Sequence, residues 1–447
     1  MASNKKIPEV STFTFLRQAL KILNNPLPFH RKNFERYGDI FKLNVGFGNH
    51  AIFSRDATLA EYVLQKNWKN YKKSTIQTED LAKYLGKGLL TSEGDTWRKQ
   101  RRLIQPAFHK SNLETLIETV KDTVIHEIKY IQPNTNVNVL PVFSDLAFKV
   151  VVRALFSNAA TDSEIRTLQS ITEENQLMLV KELRQPYLKW YFESFGIIDK
   201  HLKRSKESRD ILKNIIVKRK QEQTIYNDLL DVLLDARYDD GSAMSMEQLI
   251  DEILVLFVAG HETTANALSF TVQLLAHNPE WQNKIRKQYQ TILNDNKDDI
   301  MAAILQSQFA KQVIEESLRL YPPAYFIDRV NIEEDSYNGF HFNKGSNLLF
   351  SIFEIHRHEA LWERPNVFAP ERFTPEQAKQ HSSHYFPFGA GPRKCIGNNF
   401  AMFEMILTIS EIVLKFNILP VRKTIEINPL ITLKPKNAIV RFENLKE

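Results

Sequence analysis

The chain has 447 residues, of which 43% are hydrophobic, 25% charged and 11% aromatic, the proportions of a globular protein rather than a disordered or fibrous one. The net charge of +6 comes from 59 basic and 53 acidic residues spread along the chain, which argues against a nucleic-acid partner. A single cysteine excludes an internal disulfide and any zinc or iron–sulfur site built from several thiolates, and it fits a reducing cytoplasm.

The first stretch, "MASNKKIPEVSTFTFLRQALKILNNPLPFHRKNF", carries neither a signal-peptide core nor the roughly 20 apolar residues of a membrane span, so a protein with no membrane anchor is expected. "DIFKLNVG" and "HAIFSR" alternate as strands, and Gly46 and Gly48 between them predict a hairpin. Helical periodicity then dominates. It covers "TLAEYVLQKNW", much of 97–131, 144–156, 163–183, 187–236, 245–277, 279–293 and 307–320. "NLLFSIF" at 347–353 and pieces near the end complete the strands. The expected class is mainly α with a small β portion. No linker, repeat or low-complexity tract appears, so residues 1–447 are expected to form one large domain.

The segment 245–277 is the longest apolar helix. Ser245 and Gln248 suit a capping box, and Asn278-Pro279 stops it. At 1.5 Å per residue it spans about 50 Å. It reads "ILVLFVAG" and then turns polar at "HETT". Asp251, Glu252 and that polar group rule out a membrane span, so the helix must cross the middle of a large domain.

The lone cysteine, Cys395, lies in "FPFGAGPRKCIGNNFA" among glycines. A P-loop needs Gly-Lys-Ser/Thr, which is missing; a dinucleotide fingerprint from Gly389 meets Lys394 where it needs glycine. A phosphatase-like Cys followed six positions later by Arg meets Ala401. A catalytic Cys–His pair stays open, although nothing nearby supports one. The loop suits a metal approached from one side by one thiolate, since glycines let backbone lie against a large planar ligand. The helical run that follows places the thiol at a helix N-terminus, which lowers its pKa. Arg393 can offer a cation to an acidic ligand edge, and Phe388 an apolar wall.

"FGAGPRKCIG" resembles the heme-binding signature of the cytochrome P-450 superfamily, and with no membrane anchor expected the chain resembles its soluble bacterial members. The resemblance implies a single cytochrome P-450-like domain with the long central helix over heme b (iron protoporphyrin IX), and Cys395 as proximal iron ligand. Phe388 and Gly389 would line the cofactor. Other motifs follow in the family's order. "EESLRLYPP" with Glu316 and Arg319, joined by Arg372 of "APERF", is similar to the network that braces the cysteine loop. "TWRKQRR" resembles the propionate-binding helix through Trp97 and Arg101, with Arg329 and Arg393 at the other propionate positions. Three guanidinium groups for two carboxylates make chemical sense. "AGHETT" matches the oxygen-activation motif at Ala259, Gly260, Glu262 and Thr263. There Thr263 would hydrogen-bond oxygen and Glu262 would relay protons. A zinc-protease reading of His261-Glu262 needs histidine at 265 and finds Ala265.

By this resemblance the chain is an oxygen-dependent monooxygenase that hydroxylates a C–H bond or dealkylates an ether. A peroxygenase or isomerase is the first alternative, and retention of Glu262 and Thr263 argues against it. A non-catalytic heme carrier is the second. The chain after Cys395 is too short for a fused flavin reductase, so NAD(P)H-derived electrons are expected through a ferredoxin or flavodoxin and its reductase. Arg98, Lys99, Arg102 and Lys394 would meet an acidic partner. The small-molecule substrate is expected among fatty acids, terpenoids or methyl ethers such as methylated sugars. "YKKSTIQTEDLAKYLGKG" is polar, and "QPYLKWYFESFG" reads as pocket aromatics or a lid with its own small core.

Overall fold

The computed structural model describes residues 5–46, 49–222, 224–295 and 299–445. They cluster into two compact units, each assembled from separated segments. Unit 1 comprises Met1–Ser74, Lys311–Ile396 and Thr424–Ala438; unit 2 comprises Thr75–Ala310, Gly397–Lys423 and Ile439–Glu447.

Unit 1 holds the larger sheet. Its strands are β1 (Glu9–Val10), β2 (Ile40–Gly46), β3 (Asn49–Ser54), β4 (Tyr71–Lys72), β5 (Phe326–Asn331) and β6 (Asn347–Ser351), in the order β1-β2-β3-β6-β5-β4. β2 and β3 form the expected antiparallel hairpin, with Ile40 opposite Ser54 and Phe41 opposite Phe53. Gly48, expected in its turn, lies outside the described residues. β3 then pairs in parallel with β6, Ala51 against Asn347. Among the apolar members of these strands are Val10, Phe41, Leu43 and Phe53. With Phe29 and Phe34 they make one buried cluster.

The amino-terminal stretch is more helical than its scattered apolar residues imply. Helix α1 (Thr12–Asn24) begins at Ser11, whose Oγ accepts from the Thr14 N–H, and Leu27–Tyr37 forms another.

Unit 2 is mostly helix: α2 (Gly94–Ile104), α3 (Val139–Phe156), α4 (Asp162–Arg184) and α5 (Met246–His277) matter most here. A three-stranded sheet joins Phe416–Pro420, Ile439–Asn444 and Asn136–Asn138. α5 packs along α3. Phe257 meets Phe148 and Phe156 at ring distances of 5.5 and 6.0 Å, and a Cβ on Gly260 would sit 2.9 Å from Val151 Cγ2. Burying each of these rings contributes roughly 1.5–3 kcal/mol. By length and composition α5 could cross a membrane, but 72% of its apolar window is buried inside the protein, as a core helix requires.

Several boundaries differ from expectation. The single helix read over 187–236 is three, Lys189–Ser194, Ile197–Glu222 and Leu229–Asp235, and Gly196, with a left-handed φ of 66°, makes the first break. The stretch 97–131 breaks at Gln105–Phe108, where Pro106 cannot donate to a helix ladder, and resumes at Lys110–Ile128. The strand at 347–353 stops at Ser351, which caps a short helix, Ile352–Ile355. The capping box of α5 is half formed: Ser245 accepts from the Gln248 N–H, but the Gln248 side chain donates to Lys87 O and Glu252 Oε1 instead. Tyr187, Trp190 and Phe195 are exposed and Phe192 is buried, with Tyr191 against Phe195 at a ring distance of 4.6 Å.

Candidate active site

In unit 1 the cysteine loop is closed by its own backbone. Gly389 N–H donates to Phe386 O at 3.0 Å, Lys394 N–H to Gly391 O at 3.0 Å, and Cys395 N–H to Phe388 O at 2.9 Å. Gly389 and Gly391 take φ of 71° and 69°, where a side chain is strained. At Gly391 a Cβ would lie 2.0 Å from Leu64 O, so only glycine permits this approach. A Cβ on Gly389 would touch Ile327 at 3.7 Å, so the loop lies against the strand that carries Arg329. Cys395 is exposed, and the helix α6 (Asn398–Lys415) begins three residues beyond it in the chain. Phe388 is half-buried.

A buried frame stands behind the loop. Glu316 and Arg319 are fully buried and meet through two hydrogen bonds of 2.7 Å. Arg319 also donates to the carbonyls of His356 and Pro365 at 2.7 Å and of Val367 at 3.2 Å. Glu316 Oε1 accepts from Ala369 N–H at 2.9 Å and lies 3.6 Å from Arg372 Nε. The expected trio therefore meets. His356 extends it: its Nε2 accepts from Phe386 N–H at 2.9 Å, at the start of the cysteine loop. Burial, then the neighbouring Arg319 and Arg357 charges, pushes the His356 pKa well below its usual value. The ring is thus neutral, with its proton on Nδ1, and free to accept at Nε2. The sequence offers no signal for this histidine, whose partner is thirty residues away.

Arg329 is buried and donates to Asp328 O at 2.7 Å. Arg393 donates to Trp68 O at 3.3 Å and lies 5.3 Å from the centre of that indole.

In unit 2 the oxygen motif sits on α5. Between Leu249 and Ala276 every residue is buried except Leu256, Val258, Ala259, Gly260 and Thr263. Leu256, Ala259, Gly260 and Thr263 fall at i, i+3, i+4 and i+7, so the middle of this core helix presents one open, small and apolar face. Thr263 Oγ1 donates to Ala259 O at 2.7 Å, and Glu262 is buried beside it in sequence. Gly260 has a second role that spacing does not reveal, the close approach to α3 noted above. His261 turns away: its Nε2 is 2.7 Å from Ser144 Oγ, and its ring packs edge-on to Phe148 at 5.2 Å. On α2, Trp97 is buried, while Arg101 is half-buried and donates to Gln105 Oε1 at 3.0 Å. The loop before α2 is pinned to α5, with Lys87 N–H on Asp251 Oδ2 at 2.7 Å and Leu89 N–H on Glu252 Oε2 at 2.8 Å.

Unit 1 thus gathers Cys395, Phe388, Gly389, Arg329 and Arg393, and unit 2 supplies Trp97, Arg101, Ala259, Glu262 and Thr263. Within unit 1, one exposed thiol with a glycine cradle and two arginines fit a thiolate-ligated heme bearing two carboxylates.

Comparison with known proteins agrees. Residues 7–442 match the cytochrome P450 family, a span that includes segments of both units. The chain is 29% identical over 426 residues to cytochrome P450 4d2 of Drosophila melanogaster, covering 88% of this chain and 84% of that protein. It is 29% identical over 427 residues to the cytokinin hydroxylase of Arabidopsis thaliana, covering 92% and 82%. It is 28% identical over 422 residues to the chloroplastic carotene epsilon-monooxygenase of the same plant, covering 88% and 76%.

Proposed function

The chain belongs to the cytochrome P450 family, heme-thiolate monooxygenases that use dioxygen and electrons from a reductant, and from that premise we propose that Cys395 is the iron ligand of an enzyme that hydroxylates an apolar small molecule. The observation that carries this reading is the chain's one cysteine, exposed on a loop whose approach to Leu64 only a glycine at 391 permits. Both units are read as parts of one functional domain.

When bound, the heme supplies reductive activation of dioxygen, favoured by thiolate ligation. The rest is the work of side chains. Arg101, Arg329 and Arg393 would hold the cofactor's carboxylates, Trp97 would add an indole N–H or a flat wall, and Phe388 would offer an apolar wall. The Thr263 hydroxyl, now donating to Ala259 O, can turn outward along the open face and offer its proton there. Glu262, buried beside it, passes protons inward from solvent. Small residues at Ala259 and Gly260 leave room for oxygen and substrate.

Leu256 and Ala259 offer a substrate methyl and methylene contacts rather than hydrogen bonds, which favours a fatty acid or terpenoid. The carotene-acting relative is in keeping with a terpenoid. Attack beside an ether oxygen, giving O-demethylation, uses the same groups. Electrons come through a ferredoxin or flavodoxin and its NAD(P)H reductase, docked by Arg98, Lys99 and Arg102 on the exposed side of α2. Arg98 pairs with Asp95 and Arg102 with Asp239, so Lys99 carries the larger share of free charge. A soluble, cytoplasmic enzyme of the bacterial type is the reading adopted, although the relatives named above are eukaryotic.

The test is spectroscopic and then catalytic. Reduced protein with carbon monoxide should give the red-shifted Soret band of thiolate ligation, and Cys395→Ala should lose it. With NADPH alone there should be no product; adding ferredoxin and reductase should give hydroxylated terpenoid or fatty acid. A thiolate spectrum that survives Cys395→Ala refutes the assignment.

A further inference from the structure

We propose that Arg357 anchors a small oxyanion site in unit 1, taking a carboxylate or a phosphate from solution against the fork of its guanidinium. What points there is a shortage of carboxylates. Arg31, Arg319 and Arg357 gather around the short helix Ile352–Ile355 and His356, and the two carboxylates among them are already engaged. Glu316 accepts from Arg319 through two bonds of 2.7 Å. Glu354 accepts from Arg31, whose Nε lies 3.2 Å from both of its oxygens. Arg357 is left with aromatic rings. Its guanidinium carbon is 3.8 Å from the centre of Phe353 and 5.4 Å from that of Tyr321. A ring face attracts positive charge but leaves the in-plane N–H groups without an acceptor. Among the described residues nothing accepts from Arg357 Nη1, which is buried.

Buried charges in folded proteins are paired, and an orphaned donor of this kind calls for an ordered water or an ion. Charge decides between the two. Burial above all pulls the Arg357 pKa down to about 9, with Arg319 and Arg31 adding repulsion and Tyr321 and Glu354 opposing them. The group is still a cation at pH 7, in a place that disfavours one, and a water molecule leaves that charge uncompensated. Guanidinium presents parallel N–H donors in one plane, which match two oxygens of a carboxylate or phosphate. Arg357 is half-buried, so an anion has a way in from solvent. Occupancy bears on the frame behind Cys395, because Arg357 directly follows His356, the acceptor of the Phe386 N–H.

The experiment uses the full chain with heme at pH 7, in dilute chloride buffer, with inorganic phosphate or acetate added against chloride of equal ionic strength. Calorimetric titration should show one ion bound per chain, and the melting temperature should climb with that ion beyond its value in chloride. A rise with either ion supports the site, and the ion acting at the lower concentration names the source. Arg357→Gln should weaken binding at least about tenfold, the loss of one charge-assisted hydrogen bond. Arg357→Lys keeps the charge without the fork and should also bind more weakly than the parent. In chloride alone Arg357→Gln should melt no lower than the parent, since it removes an uncompensated charge; in the bound ion the order should reverse. An arginine that only packs predicts the same loss in both buffers, and that result overturns the proposal. So does a parent indifferent to phosphate and acetate, which would leave Nη1 to a water, and so does equal affinity in Arg357→Lys. Should Arg357→Gln not fold, the parent and the lysine variant decide the matter by titration.

Discussion

Glu316→Gln should destabilise the protein by about 3–5 kcal/mol, and Arg319→Met by more. In the first variant Arg319 keeps its three carbonyl partners but loses a counter-ion, and with zero exposure it has no water to replace it. A buried charge left unpaired costs about 3–5 kcal/mol. In the second, Glu316 keeps Ala369 N–H and Arg372 but loses its two bonds from Arg319, and three carbonyls lose a donor, each orphaned polar group adding about 1–3 kcal/mol. Set against the 5–15 kcal/mol typical of folded proteins, the second variant should yield little folded protein. The informative case is the double variant Glu316→Leu/Arg319→Met. An ion pair that only fills space can be exchanged for apolar residues with little loss. This one also holds the backbone at His356, Pro365 and Val367, and through His356 the start of the cysteine loop. Urea titration followed by far-UV circular dichroism should find the double variant no more stable than Glu316→Gln, and the carbon monoxide band should show loss of the thiolate form before the helices unfold. Parent-like stability and spectrum in the double variant would refute the bracing argument.

Glu315 is pushed up to about 7 by burial, against a weaker pull from Lys311 at 3.9 Å. The fold prefers its protonated form, so that stability is fully present below pH 4.5 and is lost as pH rises through 7, by at most about 3 kcal/mol; Glu315→Gln should flatten melting temperature against pH over this window, and an unchanged slope would count against it. Gly391→Ala places a methyl 2.0 Å from Leu64 O on a residue with φ of 69°; heme content after purification should fall sharply, while Gly241→Ala, equally left-handed but with open space, should leave it unchanged. Thr263→Ala should leave the spectrum and first reduction nearly normal yet divert electrons to hydrogen peroxide; Thr263→Ser should keep product formation, and equal coupling in Thr263→Ser and Thr263→Val would deny the hydroxyl a role. Glu262→Gln should slow turnover by about 10²–10⁴-fold, as expected for a group that transfers protons.

What the sequence reveals follows from where the chemistry is local. Ser245 and Asn278-Pro279 mark both ends of α5 because a hydroxyl cap and a missing N–H act within a few residues. The cysteine loop is legible through its glycines, two of which take φ values closed to other residues. The break at Gly196 was available in the same way, but apolar periodicity on both sides hid it. Non-local features left no trace. His356 sits in "EIHRH" without any spacing rule, and its role depends on the backbone of Phe386. The division into two units is equally silent, because its boundaries fall inside the helix Gln308–Leu320 and beside the cysteine loop, where no linker could announce them. The five uncovered residues of α5 emerge only once the helices around it are in place.

The parallel pairing of β3 with β6 also governs how the chain can be made. Ala51 and its partner Asn347 are separated by roughly 300 residues. At a synthesis rate of 5–20 residues per second, the hairpin edge would wait about 15–60 s on the ribosome for the strand that completes its sheet. During that interval β3 presents unpaired N–H and C=O groups beside Ile52 and Phe53, a template for other nascent chains. Biosynthesis of this protein therefore favours a holding chaperone, and Cys395 emerges later still.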